Sequence, residues 1–341
     1  MKLNLFLCAL IFVTLSSCEK KEKYPYEPSD FRSEVNMTLK KLSKEKQLPV
    51  NDTIATNYLE KVCTKDELQK IILSKKPILR IIGYRALINR KDEKFFDILI
   101  RHLNDTAKVT WWYYDDAGGL FTISDLMIRK AQHILTQKQK NILIDSVLLK
   151  HPYLEVSDWM IQEINPNERY YSVIKSKCSV KTDRCGTQLG ACYALSKFKK
   201  EQDLPFLHDI FNNLEEPCGY WVFRAIEINP QEVFFPILEK YFKENIKKKK
   251  QQSYNVLEYY CRSVASYRSG KSLKLLESLL DKSNYPDKWY FNDNEDYVFK
   301  AIHKYKAPIY DKLYNDLKPK MDDHIMKYLN RINYNEKTTW K

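Results

Sequence analysis

A helical hairpin predicted over residues 219–243 constrains the fold of this chain more than any other feature. Its first half places Trp221, Ala225 and Ile228 on one helical face. Asn229 and Pro230 then predict the N-cap and first position of a second helix. Two such helices cannot bury both of their apolar stripes alone, so the hairpin needs copies of itself as neighbours. The stripe of the second helix falls at relative positions 0, 1, 4, 5, 8 and 9: Val233, Phe234, Ile237, Leu238, Tyr241 and Phe242.

The same pattern returns along the chain. A weak copy has Tyr170, Tyr171 and Ile174, with Lys175 in the fourth apolar position. The clearest copies are Phe95, Phe96, Leu99, Ile100 and Leu103; Phe206, Leu207, Ile210, Phe211 and Leu214; and Ile309, Tyr310, Leu313, Tyr314 and Leu317. One residue marks each preceding helix: Ala86, Ala131, Ile161, Ala194, Ala225, Ala265 and Ala301, at spacings of 45, 30, 33, 31, 40 and 36.

This variable period of paired helices resembles HEAT-like repeats and covers roughly residues 77–318. The resemblance implies an all-α protein, an α-α superhelix or solenoid of about seven helical hairpins. The alternative is an irregular helical bundle. The resulting organisation is an N-terminal helical cap over residues 33–76, with a capping box at Thr64 and Glu67, repeats over 77–320, and a capping helix and tail over 321–341.

The N-terminus predicts a secretory signal. Lys2 precedes an apolar run from Leu3 to Val13, which is too short to span a bilayer permanently. The following Leu-Ser-Ser-Cys ends at Cys18 and resembles a bacterial lipobox, which implies a signal peptide over residues 1–17 and a lipidated Cys18. Residues 18–32 then form a charged, proline-bearing tether. The charged residues just after Cys18 resemble the surface-export signals of Bacteroidetes lipoproteins. Localisation at the outer membrane follows, with the periplasmic or cell-surface face left open.

The charge of the chain bears on its partners. The formal net charge is +13, and removal of the signal takes away only Lys2, so the mature value is 13 − 1 = 12. Outside the cytoplasm such a protein meets acidic glycans, lipid head groups or acidic proteins, and nucleic acid is not expected there. The alternative is that lysines simply decorate exposed helix faces.

Two aromatic insertions are candidate binding surfaces. Four successive aromatic residues cannot all be buried, because neighbours in a helix or strand point in different directions. They could stack on sugars or a partner, or they could fill the groove between two repeats. Both insertions precede a first helix, which predicts that they emerge along one edge. The candidate residues are Trp111, Trp112, Tyr113, Tyr114, Asp115 and Asp116 in the first insertion, and Trp289 and Tyr290 in the second.

The cysteines after Cys18 permit disulfides in an oxidising compartment. Cys178 and Cys185 flank a polar loop, so their pairing is the first hypothesis, and Cys185 with Cys218 is the second; the sequence does not decide the connectivity. The cysteine spacings do not match a zinc site, so no metal is expected. Gly186 and Gly190 predict close helix packing.

No catalytic pattern stands out. The sequence has no His-Glu-x-x-His, no Gly-x-Ser-x-Gly and no phosphate-binding glycine loop, so we expect neither an enzyme nor a cofactor. The leading hypothesis is a noncatalytic, lipid-anchored helical-repeat scaffold whose concave surface and insertion edge bind an envelope protein. The alternative is a glycan- or anionic-ligand-binding surface lipoprotein.

Overall fold

The computed structural model describes residues 23–45, 47–48, 53–112, 118–182, 185–213, 219–246, 254–284, 294–331 and 340. Within them the chain is mostly helical, as predicted, and it also contains one small three-stranded sheet. The chain divides into two compact units, unit 1 over residues 1–143 and unit 2 over residues 144–341. The division falls within a helix and not at the predicted 76/77 boundary.

Unit 1 is built around one central helix. This helix, α4, packs against α2, α3 and α6. The elements are α1 (Ser33–Leu42), β1 (Gln47–Leu48), α2 (Thr53–Val62), α3 (Lys65–Ile72), α4 (Pro77–Asn89), α5 (Phe95–Arg101), β2 (Lys108–Trp112), β3 (Gly118–Thr122) and α6 (Ile123–Ala131), and α7 (Gln137–Lys150) contains the boundary with unit 2.

Helices α3 and α4 meet at a glycine. A Cβ atom built on Gly83 would lie 2.7 Å from Ile71 Cγ2 and 3.1 Å from Ile71 Cβ. Only glycine therefore permits this separation of the two backbones. The start of α3 is fixed by the predicted capping box, in which Thr64 Oγ1 accepts from Glu67 N and the Glu67 side chain accepts from Thr64 N.

The small sheet was not predicted. Strand β1 pairs in parallel with β2, and β2 pairs antiparallel with β3. Leu48 is a buried residue of β1. Three short strands are a minor addition to the helical class, but they place Trp111 and Trp112 in a β-hairpin.

The predicted tether is wrong over its second half. Tyr26 forms a β-bridge with Ser74, Phe31 is buried, and the Tyr24 ring centroid lies 4.0 Å from the guanidinium carbon of Arg80. Aromatic residues of a charged, proline-bearing stretch thus contact the folded part of unit 1. Residues 24–31 belong to unit 1, which the sequence pattern had not indicated.

Unit 2 consists of helical hairpins. Each first helix packs against the next first helix, in the order α8, α10, α12, α14 and α16, and we call these five the first-helix layer. The helices are α8 (Val156–Glu163), α9 (Glu168–Ser179), α10 (Cys185–Ser196), α11 (Leu204–Asn212), α12 (Gly219–Ile228), α13 (Phe235–Tyr241), α14 (Tyr254–Ala265), α15 (Gly270–Leu280), α16 (Asn294–Lys304), α17 (Asp311–Leu317) and α18 (Asp323–Arg331).

The residues that mark the repeats lie at helix contacts. In unit 2, Ile161, Ala194, Ala225, Ala265 and Ala301 are all buried. Four of these five residues are alanines, and small side chains let neighbouring first helices approach closely.

The second helices are buried along only part of their stripes. In α11, Leu207 and Phe211 are buried, whereas Phe206 and Ile210 are half-buried. The weak copy in α9 has a polar explanation. Lys175 Nζ lies 2.7 Å from Oδ1 of the buried Asp203, so an ion pair between a partly exposed lysine and a buried aspartate occupies the place of an apolar contact.

The predicted start of the second helix at Asn229 and Pro230 is wrong. Helix α13 begins at Phe235 after a 3-10 turn over Glu232–Phe234, and Pro236 occupies its first turn. Asn229 is buried in the connecting turn, where its backbone oxygen accepts from Gln231 N at 2.9 Å. Pro230 and Pro236 each fit the preference for proline in the first turn of a helix, and Pro236 is the one that lies in the first turn of α13.

The first predicted disulfide is also wrong. Cys178, in the last turn of α9, is bonded to Cys192 of α10, with a Cα–Cα distance of 5.0 Å, and not to Cys185. Helices α9 and α10 pack together, which brings a residue about two turns into α10 against the end of α9. Cys218 and the side chain of Cys185 lie outside the described residues.

The chain returns to the start of unit 2 near its last residues. Trp340 is buried, and its backbone N–H donates to Glu163 Oε2 at 3.0 Å. Before it, α18 agrees with the predicted capping helix, since Ile325 and Leu329 are buried.

Candidate functional site

The predicted aromatic platform is only partly described. Trp111 and Trp112 lie on β2 and are half-buried. The Trp111 ring centroid lies 5.8 Å from that of Phe121, and Lys130 Nζ is 5.4 Å from the Trp111 centroid. Trp112 Nε1 donates to Gln47 Oε1 at 2.8 Å. Tyr113, Tyr114, Asp115 and Asp116, together with Trp289 and Tyr290, lie outside the described residues.

Trp112 also depends on a glycine. A Cβ atom on Gly118 would lie 2.8 Å from the Trp112 ring, so the indole covers the backbone of β3. The two tryptophans therefore pack against both strands of the hairpin, and each keeps part of its own side chain exposed to solvent. A binding role for these residues stays a prediction.

A second surface was not predicted. It lies on the first-helix layer of unit 2 and surrounds Arg224 of α12. The guanidinium carbon of Arg224 lies 4.4 to 5.4 Å from four ring centroids contributed by three helices. We call the following set the arginine–aromatic row: Tyr193 of α10, Tyr220, Trp221 and Arg224 of α12, and Tyr259 and Arg262 of α14.

Hydrogen bonds fix the position of Arg224 in this row. Its Nη1 donates to the Tyr220 hydroxyl at 3.1 Å, and its Nη2 donates to the Tyr193 hydroxyl at 3.2 Å. Tyr220 and Arg224 are four residues apart in α12, so they share one face of the helix. Tyr193 reaches them because α10 and α12 are neighbours in the layer.

The rings pack edge to face. The centroids of Tyr220 and Trp221 are 4.9 Å apart, and those of Tyr220 and Tyr259 are 4.7 Å apart. Tyr220, Trp221 and Tyr259 are half-buried, so their rings are held by neighbours and still contact solvent. Such a surface offers stacking and hydrogen bonding with little conformational entropy left to lose.

A buried carboxylate orders the next part of the layer. Glu227 Oε1 accepts from Arg262 Nε at 2.8 Å, from Lys304 Nζ at 2.8 Å and from the Tyr305 hydroxyl at 2.7 Å. Burial alone would lower the pKa of Arg262, but the charge of Glu227 raises it above its usual value. Burial and then Glu227 raise the pKa of Tyr305, which therefore stays protonated at physiological pH.

This cluster joins three first helices. Glu227 belongs to α12, Arg262 to α14 and Lys304 to α16. The Arg262 guanidinium carbon also lies 4.2 Å from the Tyr259 ring centroid, so the carboxylate holds Arg262 against the row. Glu258 also lies 3.7 Å from Arg262, so the cations Arg224, Arg262 and Lys304 exceed the carboxylates Glu227 and Glu258 by one charge.

The sequence offered one signal for this surface. Tyr220, Trp221 and Arg224 fall at relative positions 0, 1 and 4, which places an arginine over two aromatic residues of one helix. We had assigned Trp221 to the apolar core face, whereas it is half-buried at the surface. Tyr193 and Tyr259 come from other helices, and no local pattern connects them to Arg224.

Two glycines of α10, Gly186 and Gly190, face the neighbouring first helices. A Cβ atom on Gly190 would lie 2.3 Å from Gln162 Nε2 of α8, and one on Gly186 would lie 3.4 Å from Trp221 Nε1 of α12. The prediction of close helix packing is confirmed at Gly190, whereas a Cβ atom on Gly186 would make an ordinary van der Waals contact.

The described residues contain neither a metal-binding cluster nor a membrane-spanning helix. Over that part of the chain, no three His, Cys, Asp or Glu side chains are grouped so as to hold a metal ion. Within the same residues, no helix is long and apolar enough to cross a membrane.

Comparison with known proteins identifies no relative. No protein-family model, no curated protein and no solved structure matches the chain.

Proposed function

We propose that this protein is a noncatalytic helical-repeat scaffold, anchored by a lipid on Cys18 at the bacterial outer membrane, and that it binds a protein partner through the arginine–aromatic row. The observation that carries the partner-binding part is the row itself. It joins three successive helices of the first-helix layer around Arg224.

The chemistry of the row suits a protein partner. Tyrosine, tryptophan and arginine are the residues that contribute most to binding at protein interfaces. Here the rings and Arg224 are already held in place, so binding orders little that is not ordered before. The surplus of positive charge favours a partner segment that carries carboxylates beside apolar or aromatic side chains.

In-cell crosslinking of the native protein, followed by capture with a specific antibody and mass spectrometry, tests this function. We expect one or two envelope proteins to be captured with the unchanged chain and to be lost with the double change Trp221→Ala and Tyr259→Ala. Tyr153→Ala removes a more exposed tyrosine of the same unit and is the matched control. Capture that survives the double change would remove the row as the binding surface.

The alternative function is glycan binding through the β-hairpin. The observation that favours it is the pair of half-buried tryptophans on β2, with Lys130 beside Trp111. Retention on immobilised acidic and neutral glycans, compared between the unchanged chain and the Trp111→Ala, Trp112→Ala variant, tests it. Unchanged retention would exclude the hairpin as a glycan site.

The lipid anchor rests on residues 1–18 alone and has its own test. Cells fed an alkyne-bearing fatty acid should label the protein, and Cys18→Ser should abolish the label and release the chain from the outer-membrane fraction. A labelled Cys18→Ser chain would contradict the anchor while leaving the arginine–aromatic row unaffected.

A further inference from the structure

A pocket of about 170 Å³ lies in unit 1, between the first described residues and helices α3 and α5. One part of its wall is apolar, from Ile72, Leu73 and Ile98. The other part carries nitrogen donors, from Lys23, Gln69, Arg101 and His102. This pocket belongs to neither of the surfaces described above.

His102 is held in place from behind. It is 4% exposed, and its Nδ1 lies 3.6 Å from Oδ2 of the buried Asp105. Asp105 is paired with Arg80, whose Nε lies 2.8 Å from Oδ2 and whose Nη2 donates to Oδ1 at 3.0 Å. Ser124 donates to the backbone oxygen of both His102 and Asp105, at 2.7 and 2.9 Å. These contacts fix the histidine at the pocket wall.

Asp105 remains an anion in this arrangement. Burial alone would raise the pKa of its carboxyl group, but the contact with His102 and the charge of Arg80 bring it below its usual value. Arg80 is the strong counter-charge, at 2.8 Å, so the carboxylate adds little net negative charge to the pocket.

One buried polar atom of the pocket lining makes no hydrogen bond within the described residues. It is Nε2 of Gln69. A buried polar group without a partner costs about 1 to 3 kcal/mol, so such an atom is commonly explained by a further group that meets it. Gln69 lines the pocket beside two cationic side chains, and this position indicates a ligand with acceptor oxygens.

The two cations of the pocket pair with neutral groups. Lys23 Nζ donates to the side-chain oxygen of Asn104, and Arg101 Nε donates to the backbone oxygen of Asp97 at 3.3 Å. Within the described residues neither has a carboxylate partner. The pocket therefore offers two positive charges next to an apolar wall.

We propose that this pocket binds a phosphate group attached to a small, partly apolar moiety. A phosphate presents several acceptor oxygens, which match the donors of Lys23, Arg101 and Gln69, and arginine pairs with it through two N–H groups. Ile72, Leu73 and Ile98 then contact the rest of the ligand. The ligand is either a soluble phosphate ester or the head group of a phospholipid.

The position of the pocket makes the lipid source worth testing. Lys23 is five residues after Cys18, a distance of at most about 18 Å for an extended chain. If Cys18 is lipidated, as proposed above, the pocket cannot lie far from the bilayer surface. The phosphate chemistry itself does not depend on that anchor.

The test uses the mature chain with Cys18→Ser, so that no acyl chain contributes to binding. One arm measures glycerol 3-phosphate and inorganic phosphate by calorimetry. The other measures flotation with phosphatidylcholine vesicles that contain phosphatidylglycerol. We expect saturable binding in at least one arm. Binding of glycerol 3-phosphate identifies a soluble ester as the ligand, and binding to vesicles alone identifies a lipid head group.

The variants separate the pocket from the general positive charge of the chain. Arg101→Gln and Lys40→Gln each remove one exposed cation from unit 1, but only Arg101 lines the pocket. We expect Arg101→Gln to weaken binding about tenfold or more, a change of about 1.4 kcal/mol, and Lys40→Gln to leave it unchanged. Both variants should unfold at the same temperature as the unchanged chain, which would show that they are folded.

Three results would overturn the proposal. The first is the absence of binding in both arms. The second is that neither Arg101→Gln nor Lys40→Gln changes binding, and the third is that both weaken it equally. The last result would show that only the net charge of the chain attracts anions.

Discussion

At the residue scale, Glu227 is the buried polar group that joins charged side chains of three first helices. One carboxylate oxygen serves an arginine, a lysine and a tyrosine from two neighbouring helices and the segment that follows. Such a cluster specifies how α12, α14 and α16 lie together, because each donor has to reach the same atom. The apolar contacts of the layer set no comparable geometric requirement.

Replacing Glu227 with Gln should destabilise the protein strongly. The change leaves Arg262 and Lys304, whose side chains are 14% and 17% exposed, without their shared negative charge. Breaking a buried ion pair in this way costs about 3 kcal/mol or more. Urea unfolding followed by circular dichroism measures the loss. Glu258→Gln, which changes a more exposed acid near the same arginine, should cost much less.

Asp105 should govern part of the acid stability of unit 1. The pKa of its carboxyl group is lower in the folded chain than its ordinary value of 3.8, so folding is favoured by the ionised form. Its contribution is complete above pH of about 4 and is lost as the pH falls through the lowered pKa of the folded state.

Asp105→Asn tests this pH dependence. We expect lower stability at neutral pH, by about 3 kcal/mol, and a smaller further loss than the unchanged chain shows on acidification to pH of about 3. Urea midpoints at the two pH values measure the difference. Asp97→Asn alters an exposed acid of α5 and should keep the slope of the unchanged chain. An identical slope for Asp105→Asn would contradict the assigned role.

At the element scale, the glycines distinguish contacts that are tight from those that are not. Gly83 faces Ile71 across the α3–α4 contact, whereas a Cβ atom on Gly270, in the first turn of α15, would meet nothing within 4 Å. Alanine favours helix at both positions, so the two changes differ mainly in packing.

Gly83→Ala should therefore lower stability by about 1 to 3 kcal/mol, because α3 has to move away from α4. Gly270→Ala should be neutral or stabilising by up to about 1 kcal/mol, because it only reduces the freedom of the unfolded chain. Thermal unfolding of the two variants side by side checks both signs. Equal changes in stability for the two variants would mean that α3 and α4 can move apart at little energetic cost.

The disulfide ties α9 to α10. It closes a loop with a sequence separation of 14. The reduced entropy of the cross-linked unfolded chain stabilises the folded state by about 3 kcal/mol for a loop of this length. We expect Cys178→Ser with Cys192→Ser to lower the free energy of unfolding by about that amount, and reductant to have little further effect on this variant. Cys261→Ala keeps the disulfide and should stay sensitive to reductant. Peptide mapping under non-reducing conditions verifies the pairing.

The sequence predicted helices far better than it predicted how distant segments meet. The positions around Ala194, Ala225 and Ala265 were correct because helix periodicity is local. The sheet was missed because β1 and β2 are about 60 residues apart and β1 is two residues long. Cys192 was missed because loop length alone does not show which turn of α10 faces Cys178.

The same limit applies to the candidate site. Tyr220 and Arg224 lie in one helix and form a local pair, but Tyr193 and Tyr259 reach Arg224 only through the packing of α10 and α14 against α12. A site assembled from three helices leaves no motif in the sequence. The aromatic run at 111–114 was conspicuous for the opposite reason, because its members are adjacent.

At the whole-molecule scale, the division into two units predicts independent folding of the second. The numerical boundary at residues 143 and 144 falls inside α7, so a fragment that begins at Ile144 would lose the first half of that helix. A fragment over residues 137–341 keeps α7 entire. We expect it to unfold in one cooperative thermal transition and to contain the Cys178–Cys192 bond. A broad, non-cooperative transition would show that unit 2 does not fold alone.

The contact between Trp340 and Glu163 also has a consequence for the order of events during synthesis of the chain. The two residues are 177 positions apart, and a ribosome adds about 5 to 20 residues per second, so Trp340 is made on the order of 10 to 30 seconds after its partner. During that interval every helix of unit 2 that follows α8 is synthesised, while Glu163 at the end of α8 lacks the N–H group of Trp340. This contact between the two ends of unit 2 therefore forms only when synthesis has reached almost the last residue printed in the sequence.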